Sequence, residues 1–236
     1  MSTDYYRLLQ ALSPALKRLS LALIISILAM AGFVIIAHKM VEGDTIAFDD
    51  IVLHCLNRSN TPFWHQVMLV ISILAGPIFQ SLFWGIAVTW FAYKRMFWPD
   101  GFSLLIAGGG GLVLVVGLKF AFHRPRPQVI FDHLGYSFPS GHSFFALVIY
   151  GMTAYLMSRD MQERHRKLLW LVAATMIFLV GFSRIYLGEH YPSDVIAGFA
   201  IGLPWLWACL AIPQTFHRDG KDLSVDEAIE DPLSIL

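Results

Sequence analysis

Eight residues stand out in a mostly apolar chain: Lys119, Arg126, Ser140, Gly141, His142, Arg184, His190 and Asp194. Lys119, Arg126 and Arg184 are cations, and an uncompensated charge at membrane depth costs at least ~2.5 kcal/mol. Asp194 and Glu189 are the acids near enough to offset them, so the set is short of negative charge and suits an anionic ligand. Pro139-Ser140-Gly141 opens a helical run and offers free backbone N–H groups, a hydroxyl and a positive dipole end, all matched to phosphate. Arginine forks bind phosphate oxygens in pairs, and Lys119 adds a point charge. Two histidines supply reactive nitrogens. His190 and Asp194 are four residues apart at a helix start, so the carboxylate can hold one imidazole nitrogen and leave the other free to attack phosphorus. His190 is therefore the candidate nucleophile, forming a phosphohistidine. His142, on a different helix, can protonate the leaving oxygen and then activate water. With cations neutralising the transferring group, this chemistry calls for no metal and no cofactor.

Each piece has a plainer explanation when taken alone. Lys119 and Arg126 could be membrane-edge anchors that snorkel to the headgroups. Ser140 could simply cap a helix. Arg184 and Asp194 could form a bundle salt bridge with His190 bonded nearby. All of these would have to hold together for the spacing to be coincidence.

The eight residues spread from Lys119 to Asp194, so the fold must gather them. The chain has 236 residues, of which 56% are hydrophobic and only 14% charged. Its mean hydropathy is +0.60. A soluble domain carries about a quarter charged residues, so this chain is expected to lie in a membrane. Disorder is excluded by the same composition. The balance of 17 Lys+Arg against 17 Asp+Glu speaks against a nucleic-acid binder. Cys55 and Cys209 fall at different depths, so no disulfide is expected, and two cysteines cannot build a Cys-rich metal site.

A membrane span needs about 20 apolar residues. Charge-free runs predict six, at about 19–37, 77–93, 101–122, 141–158, 168–184 and 195–212. The first is too long for a cleavable signal core and no cleavage site follows it, so it is expected to be retained. The stretch 63–93 is uncharged throughout, too long for one span and too short for two, and Gly76-Pro77 is its natural break. The half before the break is expected to be interfacial or half-inserted, and 44–57 to be an amphipathic helix on the membrane surface. The four glycines 108–111 would let a neighbouring helix approach closely. The expected fold is all-α: a six-transmembrane-helix bundle with short interfacial helices between the first two spans, forming one domain over 1–236. Residues 217–236 form a polar, acidic cytoplasmic tail. With the N-terminus inside, the outer side holds only Lys39, Arg58, Lys119, Arg124, Arg126 and Arg184 of the 17 lysines and arginines. The positive-inside rule thus puts both termini in the cytoplasm and the eight residues at the outer face.

Three stretches now read as motifs. Residues 119–127 are K-x6-R-P, 139–142 are P-S-G-H, and 183–194 are S-R-x5-H-x3-D. In this order, and complete at every position, they resemble the type 2 phosphatidic acid phosphatase family, which includes bacterial phosphatidylglycerophosphate and undecaprenyl diphosphate phosphatases. The resemblance implies a six-helix membrane bundle, a metal-independent phosphohistidine mechanism and an active site on the outer face. It implies His190 as nucleophile, Asp194 as its partner and His142 as the acid. Lys119, Arg126, Ser140, Gly141 and Arg184 would form the phosphate cradle. The expected substrate is an amphiphilic lipid carrying a phosphomonoester or diphosphate, such as phosphatidylglycerophosphate, phosphatidic acid or undecaprenyl diphosphate, reaching the site from the bilayer. The compact chain resembles bacterial members, which implies a bacterial inner membrane and a periplasmic active site. A lipid phosphotransferase and a non-catalytic phospholipid binder or transporter are the competing readings. His123, Arg124 and His133 stand near the entrance with no role assigned.

Overall fold

In hydrocarbon the backbone can satisfy its N–H and C=O groups only internally, and an apolar chain of this kind folds into helices. The computed structural model describes residues 2–58, 61–93, 98–127, 135–159 and 161–216 and is helical with connecting loops across them, without strands. The helices are α1 (Ser2–Glu42), α2 (Ile46–Arg58), α3 (Pro62–Leu74), α4 (Pro77–Tyr93), α5 (Trp98–Leu105), α6 (Gly111–Phe122), α7 (Gly141–Phe145), α8 (Gly151–Ser158), α9 (Glu163–Tyr186) and α10 (Pro192–Phe216). A π-helical segment, Ile106–Gly110, joins α5 to α6, and another, Ala146–Tyr150, joins α7 to α8. The acidic tail 217–236 and residues 128–134, His133 among them, lie outside the described residues.

Among the described residues, four stretches are long and apolar enough to cross a bilayer: Leu21–Glu42, Asp100–Phe122, Glu163–Tyr186 and Pro192–Ala211. The pair α3 and α4, bent by 40°, makes a fifth if taken as one broken span. By this measure the count is four to five, not the six expected. The stretch 141–158 is helical from end to end, with a π-helical segment in its middle, and is not among these spans. Span ends also differ. The first helix runs well past 19–37, because Lys17, Arg18 and Lys39 mark where apolar sequence stops and do not stop a helix. The break between α3 and α4 falls at Gly76, where a side chain would stand 2.9 Å from the Ile73 carbonyl oxygen.

The centre of the bundle is the run from α7 to α8. Phe144, Val148, Ile149 and Met152 are fully buried there, together with Leu104 and Phe138. Helix α10 packs on α1, α2, α5, α7, α8 and α9 and holds the assembly together. The glycine run is met from both sides. Trp84 of α4 and Trp205 of α10 lie against Gly108 and Gly110, so closely that a Cβ would come within 2.5 Å and 2.8 Å of their rings. The Trp84 indole donates to the Leu104 carbonyl at 2.7 Å and the Trp205 indole to that of Ala107 at 3.2 Å. A π turn loosens the regular ladder of backbone bonds, and these two indoles satisfy carbonyls around it.

Candidate active site

The helix ends converge. Lys119 is in the last turn of α6, Arg184 in the last turn of α9, and Asp194 in the first turn of α10. Ser140 caps α7, with its Oγ accepting the Ser143 N–H at 3.4 Å. Gly141 and His142 follow as its first residues. Arg126 and His190 lie in the loops after α6 and α9.

The imidazole–carboxylate pair is buried. His190 is 1% exposed and Asp194 is 0% exposed. The His190 Nδ1 and Asp194 Oδ2 are 3.4 Å apart, and the same oxygen accepts the Tyr191 N–H at 3.0 Å. With Nδ1 facing the carboxylate, Nε2 is the nitrogen left for chemistry. Burial pushes His190 down to about 4, with the bond and charge of Asp194 opposing it. At neutral pH the ring is therefore uncharged and carries a lone pair.

Around this pair stand the cations. Lys119 Nζ donates to the Tyr136 carbonyl and, at 3.4 Å, to that of Ser137, which ties α6 to the chain entering α7. Arg126 and Arg184 share one carboxylate oxygen: Glu189 Oε2 accepts from Arg126 Nη1 at 3.0 Å and from Arg184 Nη2 at 2.6 Å. Arg184 also donates to the Ser72 hydroxyl of α3, while its buried Nε has no hydrogen-bond partner among the described residues. His142 lies within electrostatic reach of Arg184, His190, Arg126 and Lys119. The Ser140 N–H donates to the Asp194 carbonyl at 3.0 Å, joining the start of α7 to the start of α10.

Lys119, Arg126, Gly141, His142 and His190 line a cavity of about 350 Å3. Its remaining wall is largely apolar and includes Trp84, Gly109, Leu112, Val116 and Phe145. Leu112 and Val116 are at the same time exposed on the outside of the bundle, 55% and 40%, so the cavity reaches the lipid-facing surface. Ser140, Arg184 and Asp194 stand behind this wall, each at most 5% exposed. All eight residues singled out by spacing thus gather at one end of the bundle. No three metal-ligating side chains cluster among the described residues.

Sequence reasoning missed a further layer. Asp194 pairs with Arg124, at 2.6 Å, and not with Arg184, whose partner is Glu189. Arg124 pairs in turn with Asp49 of α2 at 2.7 Å. Asp49 is 0% exposed, so α2 turns one buried carboxylate toward the rear of the site. The sequence carried one signal for this: Arg124 is a second Arg-Pro pair next to Arg126, with no other use.

Bundle and site together define a helical membrane protein whose cation-lined cavity holds a buried histidine–carboxylate pair. The PAP2 superfamily matches residues 97–218. Phosphatidylglycerophosphatase B of Bacillus subtilis is 30% identical over 176 residues, covering 72% of this chain and 86% of that protein. Undecaprenyl-diphosphatase BcrC of the same organism is 34% identical over 105 residues, 42% of this chain and 50% of that one. The crystal structure of a transmembrane PAP2-type phosphatidylglycerolphosphate phosphatase from Bacillus subtilis superposes with a TM-score of 0.76 at 27% identity, over 82% of this chain and 98% of that one. The chain belongs to the PAP2 superfamily of phosphatases.

Proposed function

We propose that this chain hydrolyses the terminal phosphate of a membrane lipid through a phosphohistidine on His190, without a metal ion. One observation carries the reading: a buried, neutral imidazole paired with a carboxylate sits in a cation-lined cavity that opens onto the lipid-facing surface. His190 Nε2 attacks phosphorus and the bond to the leaving oxygen breaks, that oxygen taking its proton from His142. Lys119, Arg126 and the N–H groups at Gly141 meet the phosphoryl oxygens, and Arg184 and Ser140, behind the cavity wall, complete the cradle with a charge and a helix cap. A water then gives its proton to His142 and attacks phosphorus, the P–N bond breaks, and inorganic phosphate leaves with the free histidine restored. Asp194 holds the His190 ring and stabilises its charge while phosphorylated.

The substrates that fit are phosphatidylglycerophosphate, phosphatidic acid and undecaprenyl diphosphate, each a phosphate on an apolar tail. The excess of cations on the inner segments supports a bacterial inner-membrane protein with both termini in the cytoplasm and the site on the periplasmic side. The test is phosphate release by detergent-purified protein from these three lipids, with EDTA present and His190→Ala in parallel. Release by the wild type alone is expected, unaffected by EDTA. Equal release by the variant, or none from any lipid, overturns the mechanism. Phosphorylated alcohol in place of free phosphate, with a short alcohol added, would make it a phosphotransferase.

A further inference from the structure

Arg124 is 9% exposed and is not among the residues lining the cavity. Its guanidinium is divided between two acids from distant parts of the chain. Nη1 donates to Asp194 Oδ1 at 2.6 Å and to Ser193 Oγ at 2.7 Å. Nη2 donates to Asp49 Oδ2 at 2.7 Å and to Thr45 Oγ1 at 3.3 Å. Tyr191 lies against the guanidinium, 4.0 Å from its ring centroid. Asp49 closes the circuit: its Oδ1 accepts the Ser193 N–H at 2.9 Å and its Oδ2 accepts the Ser193 hydroxyl at 2.6 Å. Asp194 therefore offers one oxygen to His190 and the other to Arg124, and its plane is set from the side away from the cavity. A fork that binds two carboxylates at once fixes direction, which a lysine cannot do. It also leaves two buried anions sharing one cation.

We propose that Arg124 and Asp49 are positioning residues for the reaction: they hold the Asp194 carboxylate in the plane and charge state that keep the His190 ring aimed at phosphorus. The inference rests on the reading of His190 as nucleophile. Neither residue touches the phosphate. Their effect passes through Asp194, much as the outer hydrogen-bond partners of a metal-bound histidine set its orientation and basicity.

The two residues have opposite electrostatic consequences. Without the Arg124 cation, Asp194 faces His190 with its full charge and favours the imidazolium, which cannot attack. Without the Asp49 charge, Arg124 acts on Asp194 alone and the imidazolium is disfavoured. The other groups facing His190 are unchanged in both variants: Arg184 on α9, Lys119 on α6, His142 on α7, and Arg126 and Glu189 in the loops.

The test compares Arg124→Gln, Arg124→Lys and Asp49→Asn with wild type and His190→Ala. For each, kcat and KM are measured against pH, and the His190 ring is titrated by NMR in protein carrying 13C-labelled histidine. The expected result for Arg124→Gln is a kcat lower by about 10- to 100-fold with KM within about twofold, and an acid limb and ring titration at higher pH. Asp49→Asn moves the ring titration to lower pH. Arg124→Lys keeps the titration near wild type while kcat still falls, since charge is restored and the fork is not. A purely structural tie between α2 and α10 predicts no opposed displacement, so titrations that stay together, or move in one direction, overturn the proposal. Unchanged kcat in Arg124→Gln does the same. If His190→Ala retains activity, the failure belongs to the nucleophile assignment instead.

Discussion

At the scale of single residues, the proposed mechanism depends on keeping one imidazole neutral inside a ring of charge. Burial holds His190 near a pKa of about 4, whereas in the unfolded chain the ring binds its proton below about 6.5. Between these values the unfolded state takes up a proton that the folded state refuses, so stability falls as pH drops from about 6.5 to about 4 and is whole above that window. Thermal unfolding in detergent across pH 4–7.5 is expected to show this loss, and His190→Asn to show a shallower one; equal slopes would remove His190 as its source. The eight residues that gather at one end of the bundle could be picked out in the sequence because fixed spacing along helix ends is visible without the fold. The identity of each ion pair could not. A count of charges says that Asp194 meets a cation, but choosing Arg124 over Arg184 requires the bundle. Asp49 lies 144 residues from the Ser193 it binds, in a helix whose other polar residues suggested only a surface.

At the scale of elements, the geometry is set by how closely α10 approaches α7. A side chain at Gly198 would place its Cβ 2.6 Å from the Ser140 carbonyl oxygen and 3.2 Å from the Ser143 Cβ. The obstacle is backbone, so it cannot swing aside. Gly198→Ala is expected to push the two helices apart, lengthen the Ser140 N–H bond to the Asp194 carbonyl, and cost about 1–3 kcal/mol of stability. In the proposed mechanism it also lowers kcat, because the cap at Ser140 and the carboxylate at Asp194 separate. Thermal unfolding and phosphate release measure both, and a variant as stable and active as wild type would refute the close-packing argument. Close approach at glycines was readable in advance at 108–111, and Trp84 and Trp205 now fill that role. The π-helical turns were not readable. They depend on a single extra residue in a turn, which leaves apolar periodicity almost untouched.

At the scale of the whole molecule, the cavity shows how the described helices could seat the phosphate end of a lipid. A volume of about 350 Å3 is at the small end of ligand sites, which span about 300–1,000 Å3. It has room for a phosphate and the atoms next to it, and the rest of a long tail must stay among the bilayer lipids beyond Leu112 and Val116. Gly109 forms part of the cavity wall, and a Cβ there meets nothing within 4 Å. A larger side chain at that position would enter the empty space without moving a helix, in contrast to Gly198. It would also leave His190, Asp194 and the cations where they are. Gly109→Leu is therefore expected to weaken substrate and transition state alike, raising KM by roughly threefold to tenfold with kcat within about twofold. Kinetics in mixed micelles, using phosphatidic acid as substrate, separate the two constants. A drop in kcat at unchanged KM would mean that the space beside Gly109 is needed at the reacting centre and not for seating the lipid, and the division of the cavity into a polar end and a tail end would have to be abandoned.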